Sequence, residues 1–414
     1  MDKKIIFHID VNSAYLSWEA AYRKQHGEAI DLREIPSVVG GDESKRHGIV
    51  LAKSILAKKY NIQTGESLYM ARNKCPNLNI VPPNYLRYFK ASNAMIQLLE
   101  EYTPEIQQYS IDEAFLKLDC KDEKEYIEKA YEINKRIKKE LGFTVNIGLG
   151  ENKLLAKMAS ELEKPDKVHT LFKRQLEEKM WALPVGDLFM VGSKTEKKLK
   201  SRGIFTIGDL ANADKDYIYS WLKKPGMTIW EYANGIESSK IRTEVDVAQT
   251  ISNSTTTSCD IEDRERALLI LLGISEMLGI RIRDKKMCGR VISLSIRDND
   301  FFSYSKQKKI AICTNSTNKI YSMATQLFDQ IWKGKPLRQF SISISDLLSD
   351  DYQQLNLLEK HNLKEEIMDK AVDTIRNKHG YNAIKRSCFL NTGIDHIIGG
   401  VLKEEGKHMI VNKF

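Results

Sequence analysis

Ile5-Ile6-Phe7-His8-Ile9-Asp10 begins the chain with an apolar run that reads as a buried strand and is stopped by an acid. Far along the chain, Tyr109-Ser110-Ile111-Asp112-Glu113-Ala114-Phe115-Leu116 sets an adjacent acid pair between two short apolar segments. Those segments, Glu105–Ser110 and Ala114–Leu118, read as a hairpin. Between the two acidic points, Tyr85–Tyr102 predicts a helix with Phe89, Met95, Ile96 and Leu99 on its apolar side. Lys124–Leu141 predicts a second, with Ile127, Ala130, Ile137 and Leu141 at helical spacing and Gly142 as its stop. Phe143, Val145, Ile147 and Leu149 then alternate as a strand does. The order is β-α-β-β-α-β, an α+β ferredoxin-like pattern with a long insertion after the first strand.

Carboxylates at the ends of neighbouring strands can converge on one point. Left alone they repel, so something positive must hold them. An oxygen-only donor set without His or Cys suits Mg²⁺, with Mn²⁺ as a substitute. Two such ions align an attacking oxygen and a leaving phosphate for in-line displacement. Polymerase palms and nucleotide cyclases both use this layout, so the layout alone does not choose. Gly40-Gly41-Asp42-Glu43 invites the cyclase reading, two GTP joined into a cyclic dinucleotide without DNA. Ser44-Lys45-Arg46-His47 follows it, polar and basic where that fold wants an apolar strand. We read the glycines as a turn and the two acids as exposed.

The composition fits a polyanionic partner. Lys and Arg number 64 against 56 Asp and Glu, a formal charge of +8 over 414 residues. That length predicts more than one domain, at about 150 residues each. The six cysteines are scattered with no CxxC pair, which predicts neither a metal cluster nor a disulfide framework. The apolar run at the N-terminus is too short for a signal peptide, and no stretch is long enough to span a membrane. A cytoplasmic protein is expected.

Four motifs then carry a resemblance: His8-Ile9-Asp10-Val11-Asn12-Ser13-Ala14-Tyr15, Tyr109 to Phe115, Gly150-Glu151-Asn152-Lys153-Leu154-Leu155-Ala156-Lys157-Met158-Ala159-Ser160, and Lys164-Pro165. In this order and spacing the chain resembles the Y-family translesion DNA polymerases, the branch of bacterial DNA polymerase IV (DinB) and its UmuC relatives. The resemblance implies a multi-domain right hand: palm at 1–13 and 81–172, small fingers at 14–80, helical thumb at 173–236, α/β little finger at 241–348 and a tail at 349–414. It implies a template-directed polymerase that copies past damaged bases without a proofreading nuclease. Asp10, Asp112, Glu113 and the Val11 carbonyl would hold two Mg²⁺ ions. Backbone amides near Ser13 and Ala14 would touch the triphosphate of a dNTP, with Ser13 as a helix N-cap. Tyr15 matches the steric gate that rejects a 2′-OH. Lys164 matches a phosphate contact. Lys58 stands where relatives have arginine, with Ile55 in place of tyrosine, so its grip is weaker. Lys153 and Lys157 are expected at the surface or toward the template.

Further along, Met190-Val191-Gly192-Ser193-Lys194-Thr195 resembles a helix-hairpin-helix, with Met190 in place of the first glycine. Gly192, Lys194, Lys197 and Lys198 would meet primer-template phosphates there, independently of sequence. Lys306, Lys308, Lys309 and Arg338 would do the same from the little finger, read from strands Val291–Ile296, Lys309–Cys313 and Phe340–Ile344. Gln354, Leu355, Leu357 and Leu358 resemble the peptide that binds the bacterial β sliding clamp, with Leu358 for phenylalanine. In the tail, Leu363, Ile367, Ala371 and Ile375 predict a helix with one apolar stripe. A monomer is expected. A non-catalytic DNA-binding protein on the same fold is the other reading, and the intact acids argue against it.

Overall fold

The computed structural model describes residues 5–43, 46, 48–243, 248–351 and 363–398. They divide into two compact units, residues 5–40 with 50–243, and residues 41–49 with 248–398.

In the first unit, β1 (Ile6–Val11) is buried on both faces. Phe7, Ile9 and Val11 belong to a core with Leu16, Trp18, Tyr88, Met95, Leu99, Ala130 and Ile133. The next helix, α1 (Ala14–Gln25), thus packs into the core of the large sheet. Ser13 does not cap it as expected: its backbone is left-handed (φ 51°), and its side chain makes no capping bond. Instead the Ser17 hydroxyl donates to the Asn12 carbonyl at 2.5 Å.

The insertion builds a small three-stranded sheet of β2 (Ser37–Gly40), β3 (Val50–Lys53) and β4 (Asn79–Val81), in the order β3-β2-β4, with α2 (Ile55–Lys59) and α3 (Leu68–Lys74) between the last two strands in sequence. Ser54 and Ser67 cap its two helices through their side chains. It has its own core around Val38, Val50, Ile62 and Leu68. Asp42 and Glu43, after the glycine pair, are exposed.

The chain then returns to the large sheet through α4 (Tyr85–Glu100), β5 (Ile106–Gln108), β6 (Glu113–Lys117), α5 (Glu123–Arg136) and β7 (Val145–Gly150). The last turn after α5, Ile137–Leu141, widens into a π-helix and stops at Gly142 (φ 79°). After α6 (Lys153–Glu161), β8 (Val168–Leu171) adds in parallel to β7. Strand order is β5-β6-β1-β7-β8, and its first four members pair antiparallel, as the ferredoxin-like pattern requires.

Two glycines set the distance of α6 from this sheet. A Cβ on Gly148 would meet the Ala156 carbonyl at 2.0 Å, and one on Gly150 the Ala156 nitrogen at 2.5 Å. Leu154, Leu155 and Met158 on the far side of α6 join a separate helical core. That core is completed by α7 (Leu176–Lys179), α8 (Ser193–Lys200), α9 (Ile207–Ala211) and α10 (Lys215–Ala233), the last broken at Lys223 before Pro225.

The second unit is a four-stranded antiparallel sheet, order β11-β10-β12-β9, covered on one face by helices. Its elements are β9 (Thr250–Ile261), α11 (Arg264–Asp284), β10 (Met287–Asp298), β11 (Ser303–Thr314), α12 (Thr317–Ile331) and β12 (Leu337–Ser349). The sequence reading did not include β9. It is rich in Ser and Thr, and Ile251 and Ile261 supply its buried apolar side chains. On the other face of the sheet Ser305, Ser295, Ser341 and Ser254 form one cross-strand row.

The final helix, α13 (Leu363–His379), forms where the apolar stripe predicts one. Ile367, Ala371 and Ile375 of that stripe are exposed, and Asp369 and Arg376 are buried. The reason lies in α11, which carries Glu276 and Arg283 into the protein interior. Arg283 pairs with Asp373 at 2.6 Å and Asp369 at 3.4 Å. Glu276 pairs with Arg376 at 2.7 Å and Arg386 at 2.6 Å. A desolvated charge demands a partner more strongly than a few apolar side chains demand cover.

Candidate active site

Asp10 lies opposite Glu113 on β6 and Asn146 on β7. Directly opposed residues point to the same face, and so do residues two apart on one strand. His8, Asp10, Glu113 and Asn146 therefore share the face that α6 covers. The Val11 N–H donates to the Asp112 carbonyl at 3.0 Å, which ties the turn before β6 to the end of β1. All three acids are thus gathered at one end of two central strands.

Two lysines meet them. Lys164 Nζ lies 2.5 Å from Asp10 Oδ2 and 2.8 Å from Glu161 Oε1. Lys157 Nζ lies 2.7 Å from Glu113 Oε2. The surface or template-facing position expected for Lys157 is therefore wrong. Helical spacing put it on one face of α6 but could not say that this face meets the sheet. Asp112 Oδ1 accepts from the Ser110 hydroxyl at 2.5 Å.

The environments push the acids apart. Burial raises the Asp10 carboxyl to about 6, even against the Lys164 ammonium. Burial also raises Asp112, with Ser110 opposing. For Glu113 burial acts in the same sense, but His8 and Lys157 outweigh it and hold the group at about 2. Burial lowers His8, so its ring is neutral.

Sequence reasoning passed over two further residues. Asn146, fully buried, takes the Asn12 amide at 3.0 Å and donates to the Ser160 and Glu163 carbonyls at 2.9 and 2.6 Å. It braces the segment that carries Lys164. His8 sat inside an apolar run, and only its own polarity distinguished it. Its Nδ1 lies 2.8 Å from Ser160 Oγ, and its Nε2 lies 3.5 Å from Glu113 Oε2.

Oxygen donors fixed on strands fit a divalent cation, and Asp10, Asp112, Glu113 and Glu161 outnumber the ammonium groups of Lys157 and Lys164 that meet them. As the side chains stand, each of Asp10 and Glu113 is turned to an ammonium. No three described acid, His or Cys groups close on one point. Binding an ion would mean exchanging those ammonium contacts for the cation.

Around this centre, Ala14 is buried at the start of α1, and Ser13 is exposed. The Tyr15 ring stacks on Tyr88 at 4.7 Å and meets Tyr85 edge-on at 6.1 Å. Lys58 is exposed at the end of α2, and Ile55 beside it is also exposed. Gly192 precedes α8, and Lys194, Lys197 and Lys198 are exposed on that helix. Met190 takes a positive φ of 73°, the backbone a glycine would adopt without strain. In the second unit, β11 places Lys306 and Lys308 opposite Leu294 and Ile292, on the helix-covered face. Lys309 lies opposite Val291, on the other face, and pairs with Asp346 at 3.1 Å. Arg338 lies over the Phe301 ring at 4.2 Å. Gln354, Leu355, Leu357 and Leu358 lie outside the described residues. No helix among the described residues is long and apolar enough to cross a membrane.

Comparison with known proteins now decides the family. The impB/mucB/samB family matches residues 9–161, and its C-terminal domain matches residues 248–357. DNA polymerase IV of Clostridium acetobutylicum is 49% identical over 390 residues, covering 94% of this chain and 98% of that one. DNA polymerase IV of Acetivibrio thermocellus is 36% identical over 406 residues, covering 95% and 100%. The chain belongs to the Y-family DNA polymerases. It is a DNA-directed DNA polymerase of the translesion class. A solved Y-family DNA polymerase chimaera shares the fold, with a TM-score of 0.71 at 19% identity over 83% of this chain and 99% of that one. The right-hand polymerase architecture expected from the sequence is therefore present.

Proposed function

We propose that this polymerase extends a primer past damaged template bases by two-metal phosphoryl transfer, and that it does not proofread. The observation that carries the reading is the pairing of Asp10 with Glu113 across β1 and β6, with Asp112 tied to the same point through the Val11 N–H. Asp10, Asp112 and the Val11 carbonyl would hold both Mg²⁺ ions, with Glu113 at the one beside the primer 3′ oxygen. When bound, the ions supply positive charge to the attacking and the leaving oxygens.

The remaining work belongs to the chain and is chiefly positioning. Amides at Ser13 and Ala14 would touch the triphosphate. Lys164 would leave Asp10 for the phosphates, and Lys58 would add a weaker point charge. Tyr15, braced by Tyr88, would exclude a ribose 2′-OH. Lys194, Lys197 and Lys198, with Gly192, would bind DNA phosphates, joined by Lys306, Lys308, Lys309 and Arg338. Gln354, Leu355, Leu357 and Leu358 would tether the enzyme to the β sliding clamp. We further propose a monomeric enzyme of the cytoplasm.

Primer extension with Mg²⁺ on undamaged and lesion-bearing templates, without accessory proteins, tests the central claim. Asp10→Ala, Asp112→Ala and Glu113→Ala should each abolish extension and leave DNA binding intact. Extension near the wild-type rate by Asp112→Ala in single-turnover quench would refute the site.

A further inference from the structure

His8 is a buried side chain beside the acids whose hydrogen bonding is incomplete. Its ring is fully buried on β1, in tilted contact with Phe115 at 4.6 Å. The close approach of α6 at Gly148 brings Ser160 within 2.8 Å of Nδ1. The Ser160 hydroxyl lies 2.7 Å from the Lys157 carbonyl, to which it can donate. A hydroxyl has one proton, so His8 Nδ1 would then be the donor to Ser160. A neutral ring would be left with a bare Nε2 lone pair 3.5 Å from Glu113 Oε2, and Nε2 is buried without a hydrogen-bond partner. A lone pair facing a carboxylate in a dry interior is repulsive.

One rotation removes the conflict. The Lys157 carbonyl lies within α6, where the backbone N–H four residues on serves it without the hydroxyl. Turning the Ser160 hydroxyl onto His8 Nδ1 puts the ring proton on Nε2, aimed at Glu113. We infer that His8 is a positioning residue: as the Nε2–H tautomer selected by Ser160, it donates to Glu113 Oε2 and fixes the plane of that carboxylate. Lys157 alone cannot do so, because an ammonium on a flexible stem binds as a point charge from many directions. Two donors on Oε2, from α6 and from β1, leave Oε1 to present in one orientation. The inference rests on the proposed role of Glu113 at the metal site.

Nitrogen NMR of metal-free protein labelled with ¹⁵N-histidine tests the bond without any reaction. The His8 signals are those lost in His8→Gln. A proton on Nε2 and a bare Nδ1 are expected; a proton on Nδ1 with a bare Nε2 overturns the inference. Ser160→Ala should leave the proton on Nε2, where Glu113 holds it, and move the Nδ1 resonance because the hydroxyl that donates to it is gone; an unchanged Nδ1 signal also overturns the inference. Single-turnover extension supplies the second readout. His8→Leu should lower the maximal rate about tenfold or more, the usual cost of removing a partner that orients a metal ligand. Nucleotide affinity should stay within about twofold, and His8→Gln, which keeps a donor, should recover most of the rate. Equal losses in the two variants would reduce His8 to packing. If His8→Leu does not fold, the wild-type and Ser160→Ala spectra still decide. Failure of the underlying reading looks different: Glu113→Ala would then keep its rate whichever tautomer is seen.

Discussion

Tyr15 is held by its neighbours before any nucleotide arrives. Its ring stacks on Tyr88 with an interplanar angle of 13°, and the Tyr88 hydroxyl points to Glu19 at 3.5 Å. Glu19 is itself buried and paired with Arg87 at 2.6 Å and Arg23 at 2.9 Å. As the proposed steric gate, a ring braced in this way would reject by shape. We expect Tyr15→Ala to narrow the preference for dGTP over GTP by at least about tenfold, ~1.4 kcal/mol of lost discrimination. Extension efficiencies with the two nucleotides give the ratio, and an unchanged ratio would make Tyr15 a packing residue. The gathering of the acids was legible in the sequence because strand-end acids occupy fixed places along the chain. Lys157 and His8 were not, because their meaning depends on a helix and a strand brought together from distant segments. Nothing local to Lys157 distinguishes a lysine on Glu113 from a lysine in water.

Helices and strands were easier to read than the sides they present. The α4 and α5 segments were anticipated within a residue or two at most ends, since their apolar spacing is regular. The stripe on α13 was equally regular, yet it faces outward, because buried charge on α11 decided the orientation. The packing of α6 on β7 rests on the absence of a side chain at Gly148. Gly148→Ala would set a Cβ 2.0 Å from the Ala156 carbonyl, with backbone on both sides and nothing flexible to move. We expect a loss of about 1–3 kcal/mol in urea unfolding. Activity should fall further than stability alone explains, because α6 carries Lys157 to Glu113. A variant with wild-type midpoint and rate would show that the helix tolerates displacement.

At the scale of the molecule, residues 363–398 of the tail are part of the second unit. Ile398 N–H donates to the Gly273 carbonyl at 3.1 Å, and Tyr381 and Ile397 pack with Met277 and Ile280. Burial opposes the charge on Glu276, but Arg376 and Arg386 outweigh it and lower its pKa. A lowered folded-state value means stability that is full above the ordinary glutamate range. That stability is lost as pH falls through the folded value. Glu276→Gln should therefore cost about 3–5 kcal/mol near pH 7, since it leaves two arginines without their anion. The gap from wild type should close in acid. A pH-independent gap in denaturant midpoints would contradict the ionic account. The proposed tethering to the sliding clamp belongs to the same scale. Alanine at Gln354, Leu357 and Leu358 together should remove stimulation by clamp loaded on primed circular DNA and leave clamp-free extension unchanged. Equal stimulation of variant and wild type would exclude this contact. Finally, β1 is the third of five strands, flanked by β6 and β7. Its amides, including that of Asp10, would take up deuterium only when the whole sheet opens, while the short outer strands β5 and β8 exchange earlier. The carboxylates would then be lost and regained together with the sheet, so loss of the site in rising urea should track protection at β1 and not the fraying of the edges.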